Sequence, residues 1–133
     1  MSASQILILE DDDLLRAVLV ETLERAGYSP VAVGNGVEGL ARLPDIDPRL
    51  ILLDMLMPKM DGFEFLARLR KNPRWAGIPV VIISDLGEAL EKAIDRRGGE
   101  TLGVVGIVPK STWASELLER IRSAIGPGGG DAR

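Results

Sequence analysis

The 133-residue chain contains no cysteine and no histidine. The first absence removes disulfides, thiol nucleophiles and zinc–thiolate sites. The second removes the commonest general base and the commonest transition-metal ligand, and with them any phosphohistidine formed on this chain. Only five Phe, Trp and Tyr residues accompany a hydrophobic content of 46%, so the core must be mainly aliphatic. There is no Lys/Arg-rich run, and the net charge is −4. Direct nucleic-acid binding and attachment to an anionic membrane surface are therefore disfavoured as primary roles. No apolar run approaches the roughly 18 residues that would suggest a membrane span. The N-terminal MSASQ lacks the basic region of a signal peptide, so a cytoplasmic location is expected.

What the chain does have is a set of short, Val/Ile/Leu-rich runs separated by amphipathic segments. Four of them end on chemistry: QILIL leads into Glu10 and Asp11, LILL into Asp54, VVII into Ser84, and VVGIVP into Lys110. Such runs read as buried parallel strands. With Ser29 to Val33 they make five strands. The expected helices follow Asp13, run from Asn35 to Leu43, and span about Gly62–Lys71, Glu88–Arg96 and Thr112–Ile125. In the first helix Leu15, Val18, Leu19 and Leu23 fall on one expected face, as do Leu86, Leu90 and Ile94 around the fourth. Regular βα alternation predicts a single α/β domain with a doubly wound parallel sheet and helices on both faces. The order 2-1-3-4-5, a flavodoxin-like arrangement, places strands 1 and 3 at the switch point. Pro109 cannot donate to a ladder, which suits a fifth strand at the sheet edge. The domain is expected over residues 1–126, with the glycine-rich 127–133 as a flexible tail.

In an open α/β sheet the ligand crevice lies beyond the strands' carboxyl ends. Three acids, a hydroxyl and an ammonium would meet there. Asp12 and Asp13 are well placed as helix caps, but Glu10, Asp11 and Asp54 come directly off strands. Burial and like charge would raise their pKa values, and a divalent cation would relieve the repulsion. Mg²⁺, which takes oxygen ligands and keeps several waters, fits best. Ser84 and Lys110, each unremarkable alone, would then face the oxygens of a phosphoryl group, whose transfer needs chiefly positioning and charge stabilisation.

The segments ILILEDDDLLR and LLDMLMPKMDGFEFL, together with Ser84 and Lys110, resemble a bacterial response-regulator receiver domain over roughly residues 4–125. The resemblance implies a two-component signalling module phosphorylated on an aspartate by a partner histidine kinase or phosphotransfer protein. It makes Asp54 the phosphoacceptor and assigns Mg²⁺ to Asp11, Asp54, Glu10 and the main-chain carbonyl of Leu56. Ser84 and Lys110 become phosphoryl contacts. Pro58 would stiffen the loop after the acceptor, and Gly62 would permit a sharp entry to the helix.

The sequence departs from the family pattern around that site. Asp85 stands where a small residue is usual; a carboxylate there is a candidate modulator that would slow transfer or alter hydrolysis of the acyl phosphate, as Ile107 is of the readout. Asp85-x-x-Glu88 also reads as a capping-box variant for the fourth helix, the favoured expectation. Ile107 replaces an aromatic that normally reports phosphorylation. Ser111 replaces the proline after the lysine, so a cis peptide is not expected there. The stretch from Ser84 to Lys110 is longer than usual and rich in glycine.

With a helix ending near residue 125, no output domain is expected, and the downstream partner is an unknown protein. Two rivals stand beside this reading. One is a receiver-like interaction module that works without phosphorylation, its altered fourth-helix region binding a partner constitutively. The other is a Mg²⁺-dependent phosphohydrolase with Asp54 as nucleophile. Haloacid-dehalogenase-type enzymes carry a second Asp two positions on, where this chain has Leu56. The chain is therefore expected not to be an enzyme beyond its own phosphorylation and dephosphorylation.

Overall fold

The computed structural model describes residues 3–96 and 102–128. Strands β1 (Gln5–Leu9), β2 (Ser29–Val33), β3 (Leu50–Asp54), β4 (Val80–Ile83) and β5 (Val104–Val108) alternate with helices α1 (Asp13–Arg25), α2 (Gly36–Arg42), α3 (Gly62–Lys71), α4 (Gly87–Arg96) and α5 (Trp113–Ile125). The sheet is entirely parallel in the order β2-β1-β3-β4-β5. The expected fold is correct, with β1 and β3 side by side and β5 at the edge. No helix among the described residues is long and apolar enough to cross a membrane.

Period-two alternation in the central strands builds one core layer on each face. Leu7, Leu9, Ile51 and Leu53 pack with Phe65, Leu66 and Leu69 of α3 and with Leu90 and Ile94 of α4. Their neighbours Ile6, Ile8, Leu50 and Leu52 pack with Leu19 and Leu23 of α1 and with Leu117 and Ile121 of α5. β1 and β3 are thus covered on both sides, the arrangement that near-continuous apolar runs require. Each fully buried Leu or Ile there contributes about 1.5–3 kcal/mol of transfer free energy.

Side-chain caps start three helices, that of Asp12 as expected and that of Asp61 unanticipated. The Asp12 side chain accepts from Leu15 N–H at the start of α1, Asn35 from Glu38 N–H at α2, and Asp61 from Glu64 N–H at α3. Other expectations need correction. Pro44 ends α2 at Arg42, and Leu43–Asp45 forms a 3₁₀ turn instead of a last helical residue. Val18 and Leu86, placed on inward stripes by their spacing, are exposed: in α1 the buried residues are Leu19 and Leu23, and Leu86 lies on the loop before α4 begins at Gly87.

The least regular part of the sheet is β5. Its pairing with β4 jumps from Val80↔Val104 to Val81↔Gly106, leaving Val105 as an exposed bulge. That extra residue inverts the alternation, so Val104 and Ile107 both face the α4 side while Val108 faces α5. After α5, Gly126 turns the chain at φ 85, a conformation that favours glycine. The Tyr28 hydroxyl then donates to the Gly126 carbonyl (2.8 Å), and Ser4 N–H donates to that of Gly128 (3.2 Å). Of the tail assigned to 127–133, positions 129–133 lie outside the described residues, as does the 97–101 part of the glycine-rich stretch before β5.

Candidate functional site

The carboxyl ends of β1 and β3 place three acids together. Glu10 leaves β1 as its N–H donates to Val33 O (3.1 Å), so the neighbouring strand β2 sets its direction. Its side chain is 1% exposed, and Asp54, the last residue of β3, is 2% exposed. Asp11 is exposed to solvent. Each of the three offers a carboxylate oxygen within 4.8 Å of the others.

Lys110 reaches this group from the loop after β5. Its Nζ lies 3.2 Å from Asp54 Oδ2, to which it donates, and 3.4 Å from Glu10 Oε1. Two main-chain donors hold the remaining oxygens: Leu56 N–H donates to Asp54 Oδ1 (3.1 Å), and Asp12 N–H donates to Glu10 Oε2 (3.0 Å). Glu10 Oε1 is buried and has no hydrogen bond, its approach to Lys110 being an ion pair only.

The electrostatics follow from that crowding. Burial pushes the Glu10 carboxyl up to about 7, with the Asp54 charge adding to the shift against relief from Asp12 N–H and Lys110. Asp54 is likewise raised, chiefly by burial and then by Asp11, despite the Leu56 N–H and the ammonium. Burial alone would lower the Lys110 pKa, but the Asp54 and Glu10 carboxylates outweigh it and leave it raised. One ammonium thus faces two buried acids with a third close by. A carboxylate trio with one buried oxygen that has no hydrogen bond has the donor chemistry of a hard divalent cation site. The residues fit the ion their sequence suggested.

The loop from Met55 to Asp61 is shaped by two close approaches. Gly62 N–H donates to Met55 O (3.0 Å), and a Cβ on Gly62 would come within 2.8 Å of Met55 Cα. Contact with Met55, not a positive φ, is therefore what demands glycine there. Pro58 O accepts from Met60 N–H at 2.7 Å, which turns Lys59 into the left-handed region at φ 71. The Leu56 side chain is 64% exposed, so that residue serves Asp54 through its main chain.

Ser84 follows Ile83, the β4 partner of Asp54, but its hydrogen bonds run elsewhere. Its N–H continues the ladder to Val108 O (3.0 Å), while its Oγ accepts from Leu86 N–H (3.1 Å). Among the described residues it has no hydrogen bond to Asp54, Lys110 or Glu10. It lines a neighbouring hollow of about 350 Å³, shared with Ile107 and Ser111. A larger hollow of about 850 Å³, near Leu40, Arg68 and Trp75, contains none of the candidate residues, so size does not mark this site.

Two features escaped the sequence reading. Arg16 Nη1 donates to the Glu10 carbonyl (2.9 Å) while Nη2 bridges to Asp13 (2.6 Å), fixing the main chain beneath the acids. The expected capping role of Asp85 is also incorrect: its Oδ1 accepts from Ser111 N–H at 3.2 Å, across two loops. Main-chain donors carry no sequence signal, so this bond could not be read from residue types.

Comparison with known proteins agrees with the geometry. A model described as "Response regulator receiver domain" matches residues 6–122. The chain is 34% identical over 121 residues to the "DNA-binding dual master transcriptional regulator RpaA" of Synechocystis sp., covering 91% of this chain and 48% of that protein. It spans about half the length of the curated relatives it matches. Among solved structures, the N-terminal domain of a response regulator receiver protein from Methanoculleus marisnigri is 31% identical with a TM-score of 0.71, covering 91% of this chain and 95% of that one. The signal receiver domain of a signal transduction histidine kinase from Syntrophus aciditrophicus is 28% identical with a TM-score of 0.74, covering 92% and 93%. A parallel 2-1-3-4-5 sheet with acids at its switch point, and a family match spanning nearly all of it, lead to one assignment: the chain belongs to the response-regulator receiver domains of two-component signal transduction.

Proposed function

We propose that Asp54 is the phosphoacceptor and that its donor is a phosphohistidine on a partner histidine kinase or phosphotransfer protein in the cytoplasm. The observation that carries this is the position of its carboxylate. It ends a central strand, is almost wholly buried, and is held between the Lys110 ammonium and two further acids. In the transfer an Asp54 oxygen bonds to phosphorus as the phosphorus–nitrogen bond breaks, and the electron pair leaves with the donor imidazole. Leu56 N–H and Lys110 orient the attacking carboxylate. Lys110 remains to balance the roughly −1.5 to −2 charge that the new group adds, and Ser84 supplies a hydroxyl to the phosphoryl oxygens. Glu10, Asp11, Asp54 and the Leu56 carbonyl would hold Mg²⁺. When bound, that ion supplies positive charge to the acid cluster and to the phosphoryl oxygens.

The product is an acyl phosphate that water later hydrolyses to phosphate and free carboxylate, so the chain acts as a timed switch whose Asp54 is regenerated in each cycle. The readout is a protein contact on a surface biased by that charge. DNA binding, named for the Synechocystis protein as a whole, is not assigned to this domain, whose acidic balance disfavours it.

The test is incubation with a small acyl phosphate and Mg²⁺, followed by intact mass. One hydroxylamine-labile phosphoryl group is expected on the wild type and none on Asp54→Asn. Uptake by Asp54→Asn would place the acceptor elsewhere.

A further inference from the structure

The hydrogen bond between Asp85 and Ser111 joins residues that adjoin the two phosphoryl contacts in sequence. Asp85 follows Ser84 on the loop after β4, and Ser111 follows Lys110 on the loop after β5. A single contact of 3.2 Å therefore ties one loop to the other at the mouth of the site. Lys110 is already held at Asp54 and Glu10, whereas the Ser84 hydroxyl is turned to its own loop through Leu86 N–H. Turning that hydroxyl to a phosphoryl group on Asp54 breaks the Leu86 contact, and any accompanying shift of its loop relative to the Lys110 loop strains the Asp85–Ser111 bond. The carboxylate–amide bond resists that shift, since such bonds weaken steeply with distance and misalignment. Beside the loop, the hollow of about 350 Å³ is bounded by Ser84, Asp85, Ile107 and Ser111, so the space needed for rearrangement is present.

We propose that Asp85 and the Ser111 main-chain N–H form a latch between the two phosphoryl-contacting loops, and that the latch must open for efficient phosphoryl capture. Asp85 is in this view a positioning residue acting through Ser84. The inference rests on Asp54 being the acceptor. Ser111 contributes only its N–H, a group that proline in its place would lack. The two departures from the family pattern, an acid at 85 and a non-proline at 111, thus complete each other.

The chemistry of the bond allows its parts to be separated. Asp85→Ala removes the acceptor, Asp85→Asn keeps an acceptor oxygen but loses the charge, Ser111→Pro removes the donor, and Ser111→Ala keeps it. With a small acyl phosphate and Mg²⁺, Asp85→Ala and Ser111→Pro are each expected to be phosphorylated roughly fivefold to tenfold faster, because the competent loop position is no longer a minor population. The double variant should be no faster than either single one, since both remove the same contact. Ser111→Ala should match the wild type, and Asp85→Asn should fall nearer to it than Asp85→Ala does.

Proline also restricts the Lys110 main chain, so a second measurement stands beside the kinetics. In the unphosphorylated protein the Ser111 amide should exchange with solvent faster in Asp85→Ala than in the wild type. An unchanged Ser111 amide would sink the latch, whatever the rates. Equal acceleration in Asp85→Asn and Asp85→Ala, with Ser111→Pro at the wild-type rate, would mean that charge alone slows transfer and would also overturn it. A wild type that takes up no phosphoryl group would defeat the acceptor assignment and the kinetic role together, while the exchange result would still report the bond.

Discussion

The two halves of the site are built differently. On β1 and β3, Glu10 and Asp54 sit at the ends of central strands, buried, with their carboxylates held by main-chain donors from Asp12 and Leu56. After β4 and β5, Ser84, Asp85, Lys110 and Ser111 occupy loops beside an open hollow, and β5, the edge strand, carries a bulge at Val105 near its other end. The first half has little freedom to rearrange, because two layers of aliphatic packing fix its strands. The second is joined by a few side-chain contacts that can be exchanged. Charge is concentrated in the rigid half, where it costs most to bury, and motion is left to the other. Among the described residues, Lys110 is the side chain whose ion pairs bridge them.

Removing that bridge should have the largest effect. Lys110→Ala leaves Asp54 and Glu10 buried without a cation, and it deletes the ammonium that would face the phosphoryl oxygens. A fall in acyl-phosphate uptake of about 10²-fold or more is expected, the scale on which a single electrostatic donor acts in transfer chemistry. Loss of less than about threefold would mean that the rigid half works alone and that the comparison is false.

A second prediction concerns the rigid half by itself. Glu10 titrates near 7 in the folded chain against 4.5 in its ordinary state. The folded state therefore binds that proton more tightly than the unfolded state does. The resulting stability is present below about pH 4.5 and is lost as pH rises towards 7, with the raised Asp54 acting in the same direction. Metal-free protein should lose about 1–3 kcal/mol over that window, read as a falling thermal midpoint. Mg²⁺ held as proposed would bind the ionised acids, so the midpoint gain it gives should be larger at pH 8 than at pH 5. A midpoint gain that is the same at both pH values would separate Glu10 from the metal site.

The sequence disclosed these halves unequally, and for a physical reason. Strand order, the central core and the trio Glu10, Asp11 and Asp54 follow from apolar periodicity and from acids placed directly after it. Both are properties of residue type, and both survive into the structure unchanged. The edge half depends on things that residue type does not encode. The bulge at Val105 decides which way Ile107 faces. The Leu86 N–H decides where the Ser84 hydroxyl is held, and the Ser111 N–H decides what Asp85 does. Even Arg16, whose pairing with Asp13 could be anticipated, does its positioning through the Glu10 carbonyl six residues away.

Asp12 and Asp85 give the comparison its finest test, because the sequence offers both as helix caps. Each is an exposed acid shortly after a strand, with a helix beginning within two residues. In the rigid half the expectation holds: Asp12 Oδ1 accepts from Leu15 N–H at 3.0 Å, and its own N–H supports Glu10. Asp12→Ala keeps that N–H and loses only the cap, so it should cost about 1 kcal/mol of stability and leave the phosphorylation rate unaltered. Asp85→Ala should show the opposite pattern, altering the rate while thermal stability moves less, because its contact joins two loops and caps no helix. Measuring both midpoints and both rates in one series decides the matter. If the two variants behave alike, the difference between a fixed half and a mobile half does not extend to these loops. If they diverge as stated, two acids that look equivalent in sequence are separated by whether a helix or a neighbouring loop supplies the hydrogen they accept.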